Sequence, residues 1–277
     1  MDKQSPIGVF DSGLGGLTVL KELVSSLPDY DYIYLGDNAR APYGPRDFET
    51  VYAFTLQSVQ WLFAQGCPLV ILACNTASAK ALRTIQQRDL PVMGDPSKRV
   101  LGVIRPTTEV IGDYSETGHI GILGTAGTVE SGSYPVELAK FFPDKFVHQL
   151  ACPDWVPLVE SGDYLNNTVA DPVIRKQLVE LLTQNDDIDT ILLACTHYPL
   201  LYPRIRAMLP PDIDVVTQGE IVAESLVAYL KRHPEMEQRL SKAGNLSFFT
   251  TGNTDQFELG ATIFWGAKVK VVHVELP

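Results

Sequence analysis

Two cysteines stand where a thiol can do chemistry. Val70-Ile71-Leu72-Ala73-Cys74-Asn75-Thr76 and Ile191-Leu192-Leu193-Ala194-Cys195-Thr196-His197 are near-repeats, each an apolar run closed by a cysteine and then by polar side chains. The apolar runs read as strands and a helical pattern follows each. Both thiols are therefore expected at strand ends, beside backbone N–H groups and the positive end of a helix dipole. Such surroundings favour thiolate over thiol and would draw an ordinary cysteine pKa of about 8.5 towards neutrality. Asn75, Thr76, Thr196 and His197 add hydrogen-bonding groups suited to gripping a small polar molecule. The bland alternative is a pair of buried structural cysteines, the reading that suits Cys67, which precedes Pro68.

A third strand end opens the chain at Ile7-Gly8-Val9-Phe10-Asp11-Ser12-Gly13-Leu14-Gly15-Gly16. A dinucleotide loop needs a further glycine where Thr18 stands, so the glycines are read as allowing a tight turn instead. Asp11 and Ser12 are expected to project towards a cleft, where a carboxylate can accept a proton or bind an ammonium group. The competing role for Asp11 is to cap the next helix.

The elements that must position these residues alternate between short β-branched runs and longer amphipathic stretches. Helices are expected over Thr76–Gln87 and Leu201–Leu209. Further strands are expected at Tyr32–Leu35, Val100–Ile104, Ile120–Leu123, Phe146–Leu150, Val215-Val216, Ser247–Thr250 and Val269–Val274. That alternation makes βαβ units and parallel sheets covered on both faces, with ligands held beyond the carboxyl ends of the strands. Irregular stretches at Gly94–Arg99 and Leu209–Asp212 are candidate hinges. The expected architecture is α/β, with two pseudo-symmetric parallel-sheet domains. Residues 1–97 plus 210–277 would form the first and 98–209 the second, with the active site in the cleft between them.

At 277 residues the chain has length for two domains, and 45% hydrophobic with 20% charged residues is an ordinary globular mixture. A formal net charge of −11 weighs against nucleic acid and against an anionic membrane surface. A small-molecule partner is expected. Met1 to Pro6 leave no room for a secretion signal before the first strand, and the apolar run Leu69 to Ala73 is far below the ~20 residues of a membrane span, so a cytoplasmic location is expected. Four cysteines without a Cys-x-x-Cys pair are read as free thiols, and neither a metal nor a cofactor is expected.

Taken together these segments resemble the aspartate/glutamate racemase superfamily, and within it the glutamate racemases, over nearly the whole chain. The resemblance rests on Gly8–Gly13, Pro42-Tyr43-Gly44, Ala73–Ser78, Leu123-Gly124-Thr125 and Cys195–Leu200, in the family's order. Ala151-Cys152-Pro153 and Val156–Glu160 add a further segment. It implies a cofactor-independent racemase supplying D-glutamate for peptidoglycan, with glutamate as its substrate and a homodimer as its assembly. It implies that Cys74 and Cys195 are the two bases, assisted by Asp11 and His197. By the same likeness Asp11, Ser12, Tyr43, Gly44, Asn75, Thr76, Thr125, Thr196 and His197 would bind the amino acid. Glu160 is a further candidate that could tune His197, while Cys152 is read as packing and His119, His148, His233 and His273 as structural or surface residues.

Two departures stand out: Thr217-Gln218 replaces the family's usual Asp-Ser pair, and Arg105 stands where an acidic residue is common, just beyond the Asp95–Arg99 insert. Both are expected to bear on domain closure or dimer contacts. Racemisation itself needs a proton removed from one face of Cα and returned to the other, which two opposed thiols can do. The rival chemistries are an aspartate racemase, a cysteine hydrolase or amidase using Cys195 and His197, and a non-catalytic amino-acid-binding protein.

Overall fold

The computed structural model describes residues 5–277; the expectation drawn from Met1 to Gln4 about a leader lies outside the described residues. Among the described residues ten strands form two sheets. The first contains β1 (Ile7–Asp11), β2 (Tyr32–Gly36), β3 (Leu69–Leu72), β4 (Arg99–Gly102), β9 (Leu246–Thr250) and β10 (Val271–His273), in the order β10-β9-β2-β1-β3-β4. The second contains β5 (His119–Gly124), β6 (Phe146–Ala151), β7 (Ile188–Ala194) and β8 (Asp214–Val216), in the order β6-β5-β7-β8. Every pairing is parallel. The interior strands β1 and β3 are buried at every position, as expected of strands covered on both faces.

The order β2-β1-β3-β4 in one sheet is the order β6-β5-β7-β8 in the other. In each, the chain leaves the central strand on one side and returns on the opposite side. The crevice of an open parallel sheet lies at that reversal. It falls between β1 and β3 in the first sheet and between β5 and β7 in the second. Asp11 ends β1 and Cys74 follows β3; Thr125 follows β5 and Cys195 follows β7. The pseudo-symmetry therefore delivers the four chemically interesting strand ends as two matched pairs.

The chain changes sheets a few residues later than the expected boundaries. Residues 99–102 lie in the first sheet because β4 pairs with β3, Leu69 opposite Arg99 through Leu72 opposite Gly102. Residues 214–216 lie in the second because β8 pairs with β7. The crossings are thus around Val103 and around Thr217-Gln218. The Asp95–Arg99 stretch is an edge connection, tied down by Arg239 to Asp95 at 3.3 Å. The expected strand at Val100–Ile104 stops at Gly102, and Ile104–Thr108 is helical, with Pro106 tolerated in its first turn. The expected helix over Thr76–Gln87 is broken into Asn75–Lys80, Leu82–Thr84 and a π-helical turn Ile85–Asp89.

One apolar core runs between the two sheets. Leu17, Leu20 and Leu23 of the helix Leu17–Ser26 share it with Val222, Leu226 and Leu230 of Gly219–Arg232 and with Ile191 and Leu193 of β7. Fully buried leucines of this kind contribute roughly 1.5–3 kcal/mol each. Among the described residues no helix is long and apolar enough to cross a membrane.

Candidate active site

Cys74 caps the helix Asn75–Lys80. Its Sγ accepts the Ala77 backbone N–H at 3.4 Å and its thiol points at the Ser12 hydroxyl at 3.6 Å. Burial pushes this thiol up to about 12, the Asp11 charge adds to the rise, and the Ala77 N–H and Ser12 hydroxyl only partly oppose it. The expected fall towards neutrality is reversed here, because one N–H and a short helix do not offset the loss of water around a thiolate.

Asp11 is fully buried, is not among the residues that line the cavity, and makes internal bonds. One oxygen accepts the Gly13 N–H at 2.9 Å and the other lies 3.5 Å from the Thr196 hydroxyl. Burial raises its carboxyl, while the His197 charge and the Gly13 and Gly16 N–H groups pull it down. The glycines serve close approach more than turning: none of Gly13, Gly15 and Gly16 adopts positive φ. A Cβ on Gly15 would sit 2.3 Å from the Thr196 hydroxyl, and one on Gly16 2.5 Å from the Asp11 Cβ. The first loop therefore lies directly against the Cys195 elbow.

Cys195 has different company. Its Sγ is 4.0 Å from His197 Nδ1, and His197 Nε2 is 3.0 Å from Glu160 Oε1. No α-helix begins at this cysteine; a 3₁₀ turn, Tyr198–Leu201, starts beyond His197, which occupies its N-cap. Burial works against charge on His197, but its bonds to Cys195 and Glu160 and their charges outweigh it and lift the imidazole to about 10. The direction favours the protonated ring, whose Nε2–H would meet Glu160 and whose Nδ1–H would face the Cys195 sulfur. Phe264 meets the ring edge-on at 5.1 Å between centroids.

Ser12, Tyr43, Gly44, Asn75, Thr76, Thr125, Thr196 and His197 line one cavity together with Cys74 and Cys195. Elements of both sheets close it. The Thr76 and Thr125 hydroxyls meet at 2.9 Å, Thr125 meets Thr128 at 3.0 Å, and Gly127 N–H donates to the Gly44 carbonyl at 2.9 Å. Tyr43 donates to Asp37 at 2.5 Å, and Arg40 holds the same carboxylate at 2.7 Å. The cavity, partly open to solvent, offers about 30 Å³, room for a water and little more.

Gly13, Ala41, Pro42 and Val156 also line the cavity and were not named as site residues, although all but Ala41 lie in the family-like segments, and Glu160 belongs to the wall. Val156 lies four residues before Glu160 on the helix Trp155–Glu160 and so shares its face, which is the signal that could have found it. Cys67 and Cys152 are buried away from the cavity, and burial pushes Cys67 up to about 12. The other histidines lie elsewhere: His119 pairs with His148 at 3.0 Å, His233 with Glu235, and His273 with the Gly252 carbonyl.

Two matched strand-end thiols facing one polar cavity between two parallel sheets define the class. The sequence pattern of the Asp/Glu/Hydantoin racemase family matches residues 7–226, and the chain belongs to that family. Among its relatives a glutamate racemase of Ruegeria sp. (strain TM1040) is 41% identical, covering 93% of this chain and 96% of its own. The crystal structure of glutamate racemase isoform RacE1 from Bacillus anthracis superposes with a TM-score of 0.89 at 35% identity, covering 99% of each chain. That of glutamate racemase from Francisella tularensis in complex with D-glutamate gives 0.86 at 28% identity, covering 99% of this chain and 98% of its own.

Proposed function

We propose that this protein interconverts L- and D-glutamate by proton transfer at Cα between two thiols, Cys74 on one face and Cys195 on the other. The observation that carries this reading is that equivalent strands of two pseudo-symmetric sheets end in cysteines that line the same cavity. One thiol takes the α-proton as thiolate while the other delivers a proton to the opposite face, and the roles exchange for the other enantiomer. Each acid–base group supplies about 10²–10⁴-fold. The remainder comes from hydrogen bonds to the substrate carboxylates and from exclusion of water.

Asn75, Thr76, Thr125 and Thr196 offer donors for the carboxylates, and Ser12, Tyr43 and Gly44 complete the wall. His197, charged and held by Glu160, can pass a proton to Cys195 or hold negative charge beside it. Asp11 acts on Cys74 through its charge and through the Ser12 loop. At about 30 Å³ the cavity is too small for an amino acid as it stands, so substrate entry must widen it, and a movement apart of the two halves would do so. The resemblance to glutamate racemases supports the same reading for the rest: a cytoplasmic homodimer, independent of metal and cofactor, supplying D-glutamate for peptidoglycan. A thiol–imidazole–carboxylate series at Cys195, His197 and Glu160 also fits a hydrolase nucleophile, but that chemistry leaves Cys74 without a task.

Circular dichroism tests the assignment after dialysis against chelator. L- and D-glutamate should each lose their signal and converge on zero, with aspartate much slower. An unchanged signal from both enantiomers, or activity that returns only with an added metal or pyridoxal phosphate, contradicts it.

A further inference from the structure

Gln218 stands at the second crossing between the sheets, and it is 4% exposed. Its Nε2 donates to the Thr107 hydroxyl and the Tyr134 hydroxyl, both at 2.8 Å, and approaches the Val103 carbonyl at 3.2 Å. Val103 belongs to the first crossing. A backbone carbonyl can only accept, so the amide must present its nitrogen to that side and its oxygen to the other. The oxygen takes the Asn75 Nδ2–H at 2.7 Å, and Tyr134, accepting from Gln218, donates to Asn75 Oδ1 at 2.6 Å. Asn75, Gln218 and Tyr134 thus form a closed ring in which every donor direction is fixed. Only one Nδ2 proton of Asn75 lies outside the ring, and Asn75 lines the cavity next to Cys74.

We infer that Gln218 is a positioning residue for substrate binding: it clasps the two crossings together and, through Tyr134, fixes the Asn75 amide so that its remaining N–H meets a substrate carboxylate. The ring joins the Cys74 elbow, the helix Ser133–Leu138 and both crossings, so the amide of Asn75 is set only when the two halves are together. With its two N–H protons on Thr107 and Tyr134 and the Thr107 hydroxyl itself donating to the Val103 carbonyl at 2.8 Å, the buried amide has no tolerated flipped orientation, which would set its oxygen against that carbonyl. The inference rests on the proposed racemase reading, in which Asn75 holds a carboxylate.

The test is steady-state kinetics on glutamate in both directions for wild type, Gln218→Ala, Tyr134→Phe, Asn75→Ala and the Gln218→Ala/Asn75→Ala double variant. Wild-type activity reports on the racemase reading by itself; the variants report on Gln218. Loss of one oriented hydrogen bond should raise KM about tenfold for both enantiomers in Gln218→Ala, with kcat changed far less. Tyr134→Phe, which keeps the ring's packing, should do the same and serves if Gln218→Ala fails to fold. The double variant should be no worse in KM than Asn75→Ala alone, because Gln218 acts through Asn75. Multiplicative effects in the double variant, or a loss of thermal stability with KM unchanged in the foldable single variants, would overturn the proposal.

Discussion

The elbows at Cys74 and Cys195 share one sequence grammar and one place in matched sheets, yet the structure surrounds them differently. Cys74 caps a true α-helix and has a hydroxyl and a buried carboxylate for company, and its thiol is held protonated well above neutrality. Cys195 has no helix at its sulfur and instead faces an imidazolium backed by a carboxylate. The comparison teaches that strand-end geometry is set by topology, whereas the protonic character of a thiol is set by what packs against it. An enzyme that works in both directions need not have two identical bases. It needs each to be reachable from its own charged partner.

Removing either sulfur should have the largest effect. Cys74→Ser and Cys195→Ser should each lower net inversion by at least about 10³-fold, because one face of Cα then lacks a competent acid–base group. The intact elbow should still exchange the α-hydrogen of the one enantiomer it faces, and the two variants should exchange opposite enantiomers. Exchange of the same enantiomer by both, followed by NMR in D₂O, would erase the distinction between the elbows.

Removing the partners should expose the asymmetry at smaller amplitude. Asp11→Asn acts on the Cys74 side and His197→Asn on the Cys195 side, so each should depress kcat by about 10²-fold in one direction more than in the other. Equal and trivial losses in both directions would reduce these residues to packing.

Glu160 sharpens the comparison further. Its side chain is 44% exposed, so its bond to His197 is screened by water, and Glu160→Gln should cost about fivefold or less in kcat, in line with ~1 kcal/mol for such a pair. The change removes a contribution that raises His197, so the alkaline limb of the pH–rate profile should move to lower pH. An unmoved limb would separate Glu160 from the chemistry. The smallest effect is on stability. Folding raises His197 from 6.5 to about 10, so the stability it lends is complete below pH 6.5 and is lost as the pH rises through about 10. The Tm difference between wild type and His197→Asn should shrink across that window.

Much of this contrast was hidden in the sequence for a physical reason. The apolar runs before Cys74 and Cys195 announce buried parallel strands, and strand-end position follows from that. What reverses the thiol at Cys74 is burial together with Asp11, which lies 63 residues away in sequence and is turned inward by the Gly13 N–H. Glu160 was visible as a helix-face carboxylate but could not be told from a solvated one without the 3.0 Å contact to His197. The sheet crossings were misjudged by a few residues because Pro and charge mark an irregular loop without saying which strand the next segment will pair with. Gln218, legible in the sequence only as part of a departure from the family's usual pair, is a fully bonded amide at the second crossing.

The central claim, that two thiols serve opposite faces of one carbon, is tested most directly by racemisation in D₂O with the wild-type protein, starting from each enantiomer and quenched early. A thiol exchanged with solvent should deliver deuterium to the product in both directions, and the recovered substrate should remain almost free of it. Early deuterium appearing equally in substrate and product would mean a single base that serves both faces, and would contradict the account.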